Sequence, residues 1–277
     1  MKNYLRGVLC RALERRVVEL RAKHDFTVVA VAGSVGKTST KLAVARLLEA
    51  TGKKVQYQEG NYNDRVSVPL VFFGETMPSL FNVFAWAGVL RRMSRQVNQP
   101  YPYDVVVVEL GTDGPGQLKD FAYIQPDSTV VSAISPEHML QFGTLDAVAD
   151  EGLVVAEYSK KLLVNIADVD PKYLEGLKYV SYGVEVNADY RATQTGVRGV
   201  TGQTLAVSLP DGSELRVETA YSGKQGATIV LAAIAVADML GVEHQQMSSA
   251  AASLQPFAGR LQALEGTNGS TLIDDTY

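Results

Sequence analysis

Cysteine, tryptophan and histidine are scarce in this chain of 277 residues, which holds one Cys, one Trp and three His. A single cysteine, Cys10, excludes an intramolecular disulfide and any zinc site built on paired cysteines. It lies in a helical leader far from the other candidate site residues, which argues against a nucleophilic role, and such sparse thiol usage fits a reducing cytoplasm. Positive charge is not in excess: 26 Lys and Arg against 30 Asp and Glu leave a net charge of −4, whereas a dedicated nucleic-acid binder carries a basic bias. Long apolar runs are missing as well. The longest, Leu80 to Leu90, is interrupted by Asn82 and is too short to cross a bilayer. Residues 1–24 carry seven Lys and Arg with no unbroken apolar core of signal-peptide type. What is present is ordinary globular material. At 46% hydrophobic and 20% charged residues the chain can build a sizeable core, and its length allows one large domain or two small ones.

The most informative stretch is Val28-Val29-Ala30-Val31-Ala32-Gly33-Ser34-Val35-Gly36-Lys37-Thr38-Ser39-Thr40. An apolar β-type run turns through two glycines and leaves into a helical pattern (Leu42, Val44, Ala45, Leu47, Leu48). Strand, glycine loop and helix place backbone N–H groups and a helix N-terminus against a phosphate. Lys37 would reach the outer phosphates of a nucleotide and the Thr38 hydroxyl would take one position on Mg²⁺. The spacing is the short Gly-x-x-Gly-Lys-Thr form, with Val31 where a longer loop would have its first glycine. An ordinary strand-to-helix turn is the alternative.

Along the chain, residues 3–22 read as an amphipathic helix whose basic side is a solvated face or touches an anionic surface. A second strand is expected over Lys53–Tyr57, followed by the amide-rich turn Glu59–Asp64. Residues 76–103 read as an inserted segment with Trp86 and the basic run Arg91–Arg95. A helix packing Phe81, Phe84 and Val89 on the domain is expected there, and a weak membrane-surface or partner contact through residues 80–95 is the alternative. Asp104–Gly111 is apolar enough for a central parallel strand. It ends in Glu109, a candidate to hold a metal or position water, since ligands of open α/β sheets lie at carboxyl strand ends; a strand-end Glu can also simply be exposed. A strand over Ser128–Ile134 leads in the same way to His138, singled out only by that position. A helix (Leu145–Tyr158), a strand (Lys161–Asn165), a small antiparallel sheet over about 180–220 and two helices (Ala227–Leu240, His244–Leu254) follow. A last β pair lies around Leu261–Glu265 and Ser270–Ile273. The alternation of strands and helices predicts an α/β, three-layer P-loop-type domain with a mostly parallel sheet.

Taken together, residues 27–277 resemble the central ATPase domain of the Mur ligases, the ATP-dependent amide-forming enzymes of peptidoglycan precursor synthesis. The resemblance is strongest to the branch that joins D-alanyl-D-alanine to a UDP-N-acetylmuramoyl tripeptide. It is carried, in family order, by Ala32–Ser39, Gly60–Asn63 with Val68–Leu70, Glu109-Leu110-Gly111, His138 with Phe142-Gly143, Asn165–Asp168, Ala188–Thr193, Gly259-Arg260-Leu261 and Ile273–Tyr277. It implies ATP and Mg²⁺ as cofactors, with Gly33, Ser34, Val35, Gly36, Lys37, Thr38 and Ser39 at the phosphates and Arg260 and Asp275 near the ribose or phosphates. Mg²⁺ would be held by Thr38 and Glu109, a second Mg²⁺ by His138, and Asn61 or Asn63 would approach the phosphate or acyl group. The implied partners are a UDP-muramoyl peptide and D-Ala-D-Ala, with no nucleic acid, and a cytoplasmic monomer is expected.

Three segments depart from the family pattern. A lysine that is carbamylated in the family, and helps hold the second metal, falls at Gly152, with Glu151 adjacent. The family's His-Asn-x-x-Asn segment is Gln225-Gly226-Ala227-Thr228-Ile229, and Ser67 replaces a usual glycine. Residues 1–26 read as a helical leader too short for the family's UDP-sugar-binding domain, and the family's C-terminal domain would begin after Tyr277. The chain therefore reads as the central domain alone, from a fragment or truncated reading frame. Three functions stay open: the ligase or its ATPase portion, a degenerate non-catalytic nucleotide-binding module, and a folylpolyglutamate-type amide ligase.

Overall fold

The computed structural model describes residues 2–60, 62–260 and 262–276. Its centre is β1 (Thr27–Ala32), whose β-branched run is buried from Val28 onward. Successive side chains of a strand point to opposite faces. Val29 and Val31 accordingly enter one core layer while Val28, Ala30 and Ala32 enter the other. β3 (Val105–Glu109) pairs with β1 on one side and β4 (Ser128–Val131) on the other, both parallel, with Val31 opposite Glu109 and Ala32 opposite Val131. The carboxyl ends of three strands thus meet at one edge. β2 (Val55–Gln56), β5 (Leu162–Asn165), β6 (Val180–Val184), β7 (Tyr190–Val197), β8 (Gln203–Ser208) and β9 (Glu214–Thr219) complete a nine-stranded sheet in the order β2-β3-β1-β4-β5-β6-β7-β8-β9.

The expected parallel sheet is present, and the antiparallel part is its continuation rather than a separate sheet. β6 still pairs parallel with both β5 and β7; only β7–β8–β9 run antiparallel. On one face lie α2 (Lys37–Ala50), α7 (Gly223–Met239) and α8 (His244–Ser253). α7 is buried without interruption from Gly226 to Ala237, as a helix that is apolar all round must be. The other face carries α1 (Lys2–Lys23), the short α3 (Val68–Val71), α4 (Val83–Gln96), a 3₁₀ turn over Leu118–Ile124 and α6 (Leu145–Leu153), preceded by the single turn α5 (Met139–Phe142). The helix expected over 145–158 ends at Leu153 and tightens into a 3₁₀ turn over Val154–Glu157. A separate hairpin, β10 (Gln262–Glu265) and β11 (Thr271–Asp274), closes the described chain.

α4 corrects one expectation. Val89 is buried as predicted, together with Trp86 and Met93, but Phe81 and Phe84 are 78% and 92% exposed. The helix uses its Trp86–Val89–Met93 side for the core, and that phase turns Phe84 outward. A bidentate pair of Arg92 with Glu75 (2.8 and 2.6 Å) ties the helix to the preceding loop.

α1 is fastened to the sheet by Asp127 at the start of β4. Its Oδ2 accepts from the Val28 N–H (2.8 Å) and from Arg21 (3.2 Å), and its Oδ1 accepts from Lys160 (2.7 Å). Burial opposes the charge on Asp127, but Lys160, the Val28 N–H and Arg21 outweigh it and hold the carboxyl below its usual range. An unfolded Asp titrates near about 3.9, so this stabilisation is complete above that pH and is lost as pH falls through the lower folded value. Asp127→Asn should therefore flatten the acid limb of a urea-midpoint curve between about pH 5 and pH 2; an acid limb as steep as the wild type's would contradict this assignment.

Candidate nucleotide and metal site

The loop between β1 and α2 is stitched to the end of β4. Ser34 N–H donates to the Ala133 carbonyl (2.8 Å), Ser135 N–H donates to Ser34 Oγ (3.0 Å), and Ser132 Oγ donates to the Val35 carbonyl (2.6 Å). Two glycines make this possible. Gly33 sits at φ 121°, where a Cβ would lie 2.6 Å from Ser132 Oγ and 2.8 Å from the Ala133 carbonyl. Gly36, at φ 82°, is the left-handed N-cap of α2 and supplies no side-chain acceptor. The first-turn N–H groups of this 14-residue helix are left for a ligand, at the positive end of its dipole.

Lys37 is folded back on the loop. Its ammonium donates to the carbonyls of Gly33 (2.6 Å) and Ser34 (3.0 Å) and lies 3.6 Å from Glu137 Oε2. An arriving phosphate must therefore exchange with a carboxylate and two carbonyls. One turn further along α2, Lys41 forms a second ion pair in the interior. Its Nζ is 3.3 Å from Glu109 Oε2, with both side chains 2% exposed, and it donates to the Gly60 carbonyl (3.1 Å). Burial pushes the Lys41 pKa down, Glu109 pulls it back up, and Arg260 adds a smaller downward push. Glu109 Oε1 accepts from Asn63 Nδ2 (3.1 Å), while Oε2, close to Lys41 but not aligned with it, makes no hydrogen bond among the described residues. The Glu109 side chain lies at the wall of a cavity of about 1100 Å³ that Lys37, Thr38, Asn63, His138 and Arg260 also line.

The structure thus brings Ser34, Val35, Gly36, Lys37, Thr38, Glu109, His138 and Arg260 together around one cavity. Gly33 lies behind the loop and Ser39 is buried in the first turn of α2. Asp275 is exposed beyond β11 and is not part of the cavity wall, and Asn61 lies outside the described residues. Lys41 and Glu137 were not singled out from the sequence. Neither had a local signal: Lys41 follows the hydroxyl run Thr38-Ser39-Thr40, and Glu137 lies in a loop.

A Mg²⁺ fits the first position: the Thr38 hydroxyl, the Glu109 carboxylate and phosphates of a ligand suit its oxygen preference. The second does not fit. The His138 side chain, on a residue at φ 46°, is 41% exposed, and the one carboxylate within ion-pair distance among the described residues is Asp113, at 3.7 Å. Gly152 offers no side chain to a metal, and a Cβ there would lie 2.7 Å from Ile134 Cδ1, so a longer residue would require the end of that isoleucine to move. Glu151 does not compensate. Its carboxylate accepts the N–H groups of Gly116 and Leu118 (2.6 Å each) and braces that loop instead. Among the described residues no three His, Cys, Asp or Glu side chains gather as a metal-holding group. Behind the loop, a smaller cleft of about 310 Å³ runs between Ser132–Ser135 and Gln225, Thr228 and Ile229 of α7.

The Lys41–Glu109 pair makes the site's interior sensitive to single truncations. Lys41→Met leaves a buried carboxylate uncompensated and should cost about 3–5 kcal/mol in urea unfolding. The double variant Lys41→Met/Glu109→Gln should recover most of that loss. Additive losses in this cycle would disprove the coupling.

A family model described as the Mur ligase middle domain matches residues 31–237. The UDP-N-acetylmuramoyl-tripeptide–D-alanyl-D-alanine ligase of Haemophilus influenzae is 25% identical over 266 residues, covering 93% of this chain and 52% of that protein. The chain thus spans about half the length of the curated relatives it matches. A structure of MurF from Acinetobacter baumannii superimposes with a TM-score of 0.77 at 20% identity, over 97% of this chain and 55% of the other. The MurF ligase of Thermotoga maritima, in complex with ADP, gives 0.73 at 20% identity, over 97% and 57%. At these identities the two structures speak to the fold, while the family model covers well over half of the sequence: the chain belongs to the Mur ligase family, as a carrier of its middle domain.

Proposed function

We propose that this domain binds ATP with Mg²⁺ and serves as the phosphorylating centre of a cytoplasmic, monomeric ligase of peptidoglycan precursor synthesis, with a UDP-muramoyl peptide as acceptor and D-Ala-D-Ala as amine. The observation that carries the reading is the uncapped N-terminus of α2, with Lys37 beside it, opening on the same cavity as Glu109, Asn63 and Arg260. The ADP complex of the Thermotoga maritima structure supports the choice of nucleotide. Thr38 and Glu109 would hold one Mg²⁺, which when bound neutralises charge on the nucleotide phosphates.

The chain's own residues do the rest. The loop N–H groups and Lys37, released from Gly33, Ser34 and Glu137, cradle the phosphates. Asn63 keeps Glu109 turned toward the cavity, and Arg260 adds a second cation. An acceptor carboxylate oxygen then attacks the γ-phosphorus, the bond to the ADP oxygen breaks, and an acyl phosphate forms. The amine nitrogen attacks the acyl carbon, inorganic phosphate leaves, and the amine's proton passes to solvent. Positioning and charge neutralisation are the main contributions a protein makes to such a transfer. Titration calorimetry with ATP and Mg²⁺ should show saturable binding that Lys37→Ala weakens by about 100-fold or more, the scale of losing a charge-assisted contact to phosphate. No binding heat with the wild-type chain would end this reading.

A second reading, a nucleotide-binding module without turnover, is favoured by Gly152, which offers no side chain to a metal and packs against Ile134. The two separate on ADP release in the presence of both substrates and the family's flanking domains supplied in trans. Substrate-dependent ADP release supports the ligase, and ATP binding without release supports the module.

A further inference from the structure

α4 and α1 share one layer of the domain, and each is two-faced in the same direction. In α4, Trp86, Val89, Met93 and the following Val97 are buried. At about 100° per residue they span roughly 80° of the helix circumference. Phe84, Ala87, Gly88, Arg91 and Arg95 fall on the opposite side, and of these Phe84, Ala87, Arg91 and Arg95 are exposed. In α1 the buried side is Cys10, Leu13, Val17 and Leu20, and the exposed side is Val8, Arg11, Arg15, Val18 and Ala22. Both buried sides enter the same core cluster on one face of the sheet. Both exposed sides therefore look away from the sheet in the same direction. The helices are joined at their carboxyl ends, where Lys23 Nζ donates to Asn98 (2.6 Å) and the His24 ring lies 3.1 Å from the Val97 carbonyl.

The charge on this layer is opposite to that of the molecule. Residues 76–103 contain three arginines and no Asp or Glu, and residues 2–23 hold seven Lys and Arg against two Glu, while the whole chain has a net charge of −4. Of these, Arg11, Arg91 and Arg95 have no ion-pair partner among the described residues. At the amino end of α4 the basic face ends in an apolar tip. Leu80, Phe81, Val83 and Phe84 are 50%, 78%, 73% and 92% exposed and adjacent in sequence. Exposed apolar groups clustered in this way mark an interaction surface.

We propose that the outer face of α1 and α4 is a peripheral contact for an anionic phospholipid bilayer. Phe84 and its neighbours enter the boundary between headgroups and acyl chains, and Arg91, Arg95 and Arg11 meet lipid phosphates. Arg91 and Arg95 lie about 10 and 16 Å along the helix from Phe84, so a helix lying in the membrane plane presents both elements at once. Among the described residues no helix is long and apolar enough to cross a membrane. The contact is therefore one of surface adsorption. A second copy of the chain fits this face poorly, because a two-fold contact would set the Arg91–Arg95 side of each α4 against a face whose nearby carboxylates, Glu19 and Glu75, are already paired with Arg15, Arg16 and Arg92. Met77, at the start of the apolar tip, also lines the large cavity, so the bound membrane would lie beside the cavity mouth.

The test is co-sedimentation of the whole chain with vesicles of phosphatidylcholine containing about one third phosphatidylglycerol, and with pure phosphatidylcholine vesicles. Binding should favour the anionic vesicles by at least about tenfold and weaken as salt shortens the Debye length. Arg91→Gln/Arg95→Gln should lower the partition coefficient about 30-fold, at roughly fivefold per arginine, and Phe84→Ser about tenfold or more through its lost apolar area. Both variants lie on the exposed face and should keep the wild-type melting curve and ATP binding. Absence of binding to anionic vesicles, or binding that neither variant weakens, would overturn the proposal. So would light scattering that shows a concentration-dependent dimer, abolished by Phe84→Ser, in a chain that ignores vesicles.

Discussion

The parallel pairing of β1 on both of its edges is the constraint on which the rest depends. β3 and β4 run beside it in the same direction, so their carboxyl ends and the groups they carry arrive at one rim. The glycine loop leaves β1 there, Glu109 stands at the end of β3, and the strand-end residues Ser132 to Ser135 follow β4. None of these groups is near another in sequence. Their meeting is a property of strand direction and register, and it places ligands where open α/β sheets generally bind them.

Around that rim the charges are arranged in pairs rather than left free. Lys37 leans on Glu137 and Lys41 on Glu109, one pair partly open to the cavity and the other sealed beneath it. The open pair can exchange partners when a phosphate arrives. The sealed pair cannot relax in that way, because either charge left alone would be buried. With Asn63 on its other oxygen, the Glu109 carboxylate is held from two sides at the bottom of the site. The opposite wall has followed a different course. Ile134 fills the space beside Gly152, and Glu151 braces the 112–118 loop, so the side of the cavity near His138 is held by packing and backbone hydrogen bonds.

Much of this was legible in the sequence because it rests on local rules. The Val28–Ala32 run, the two loop glycines and the apolar Asp104–Gly111 stretch each specify their own geometry, and their order implies the layered sheet. The parts that were not legible depend on tertiary phase. Nothing local distinguishes Lys41, pointing at Glu109, from a lysine reaching solvent. Phe84 carries every mark of a core residue, and only the angular position of Trp86, Val89 and Met93 decides that it faces out. The antiparallel reading of residues 180–220 was right for β7 to β9 and premature for β6, since a short apolar strand does not reveal the direction of its neighbour. Gly152 was visible in the sequence, but not that Ile134 packs against it.

The burial of Trp86 has an optical consequence. It is the only tryptophan in the chain, 4% exposed, and its indole N–H finds no hydrogen-bond partner among the described residues. All of the intrinsic indole fluorescence therefore originates from one dry position on the inner side of α4. An emission maximum already set by an apolar shell has little further to move when the outer side of the helix changes its surroundings. It shifts to the red only if α4 lifts from the sheet and admits water. The molecule thus carries its own spectroscopic gauge of whether that helix stays seated while its other face is engaged.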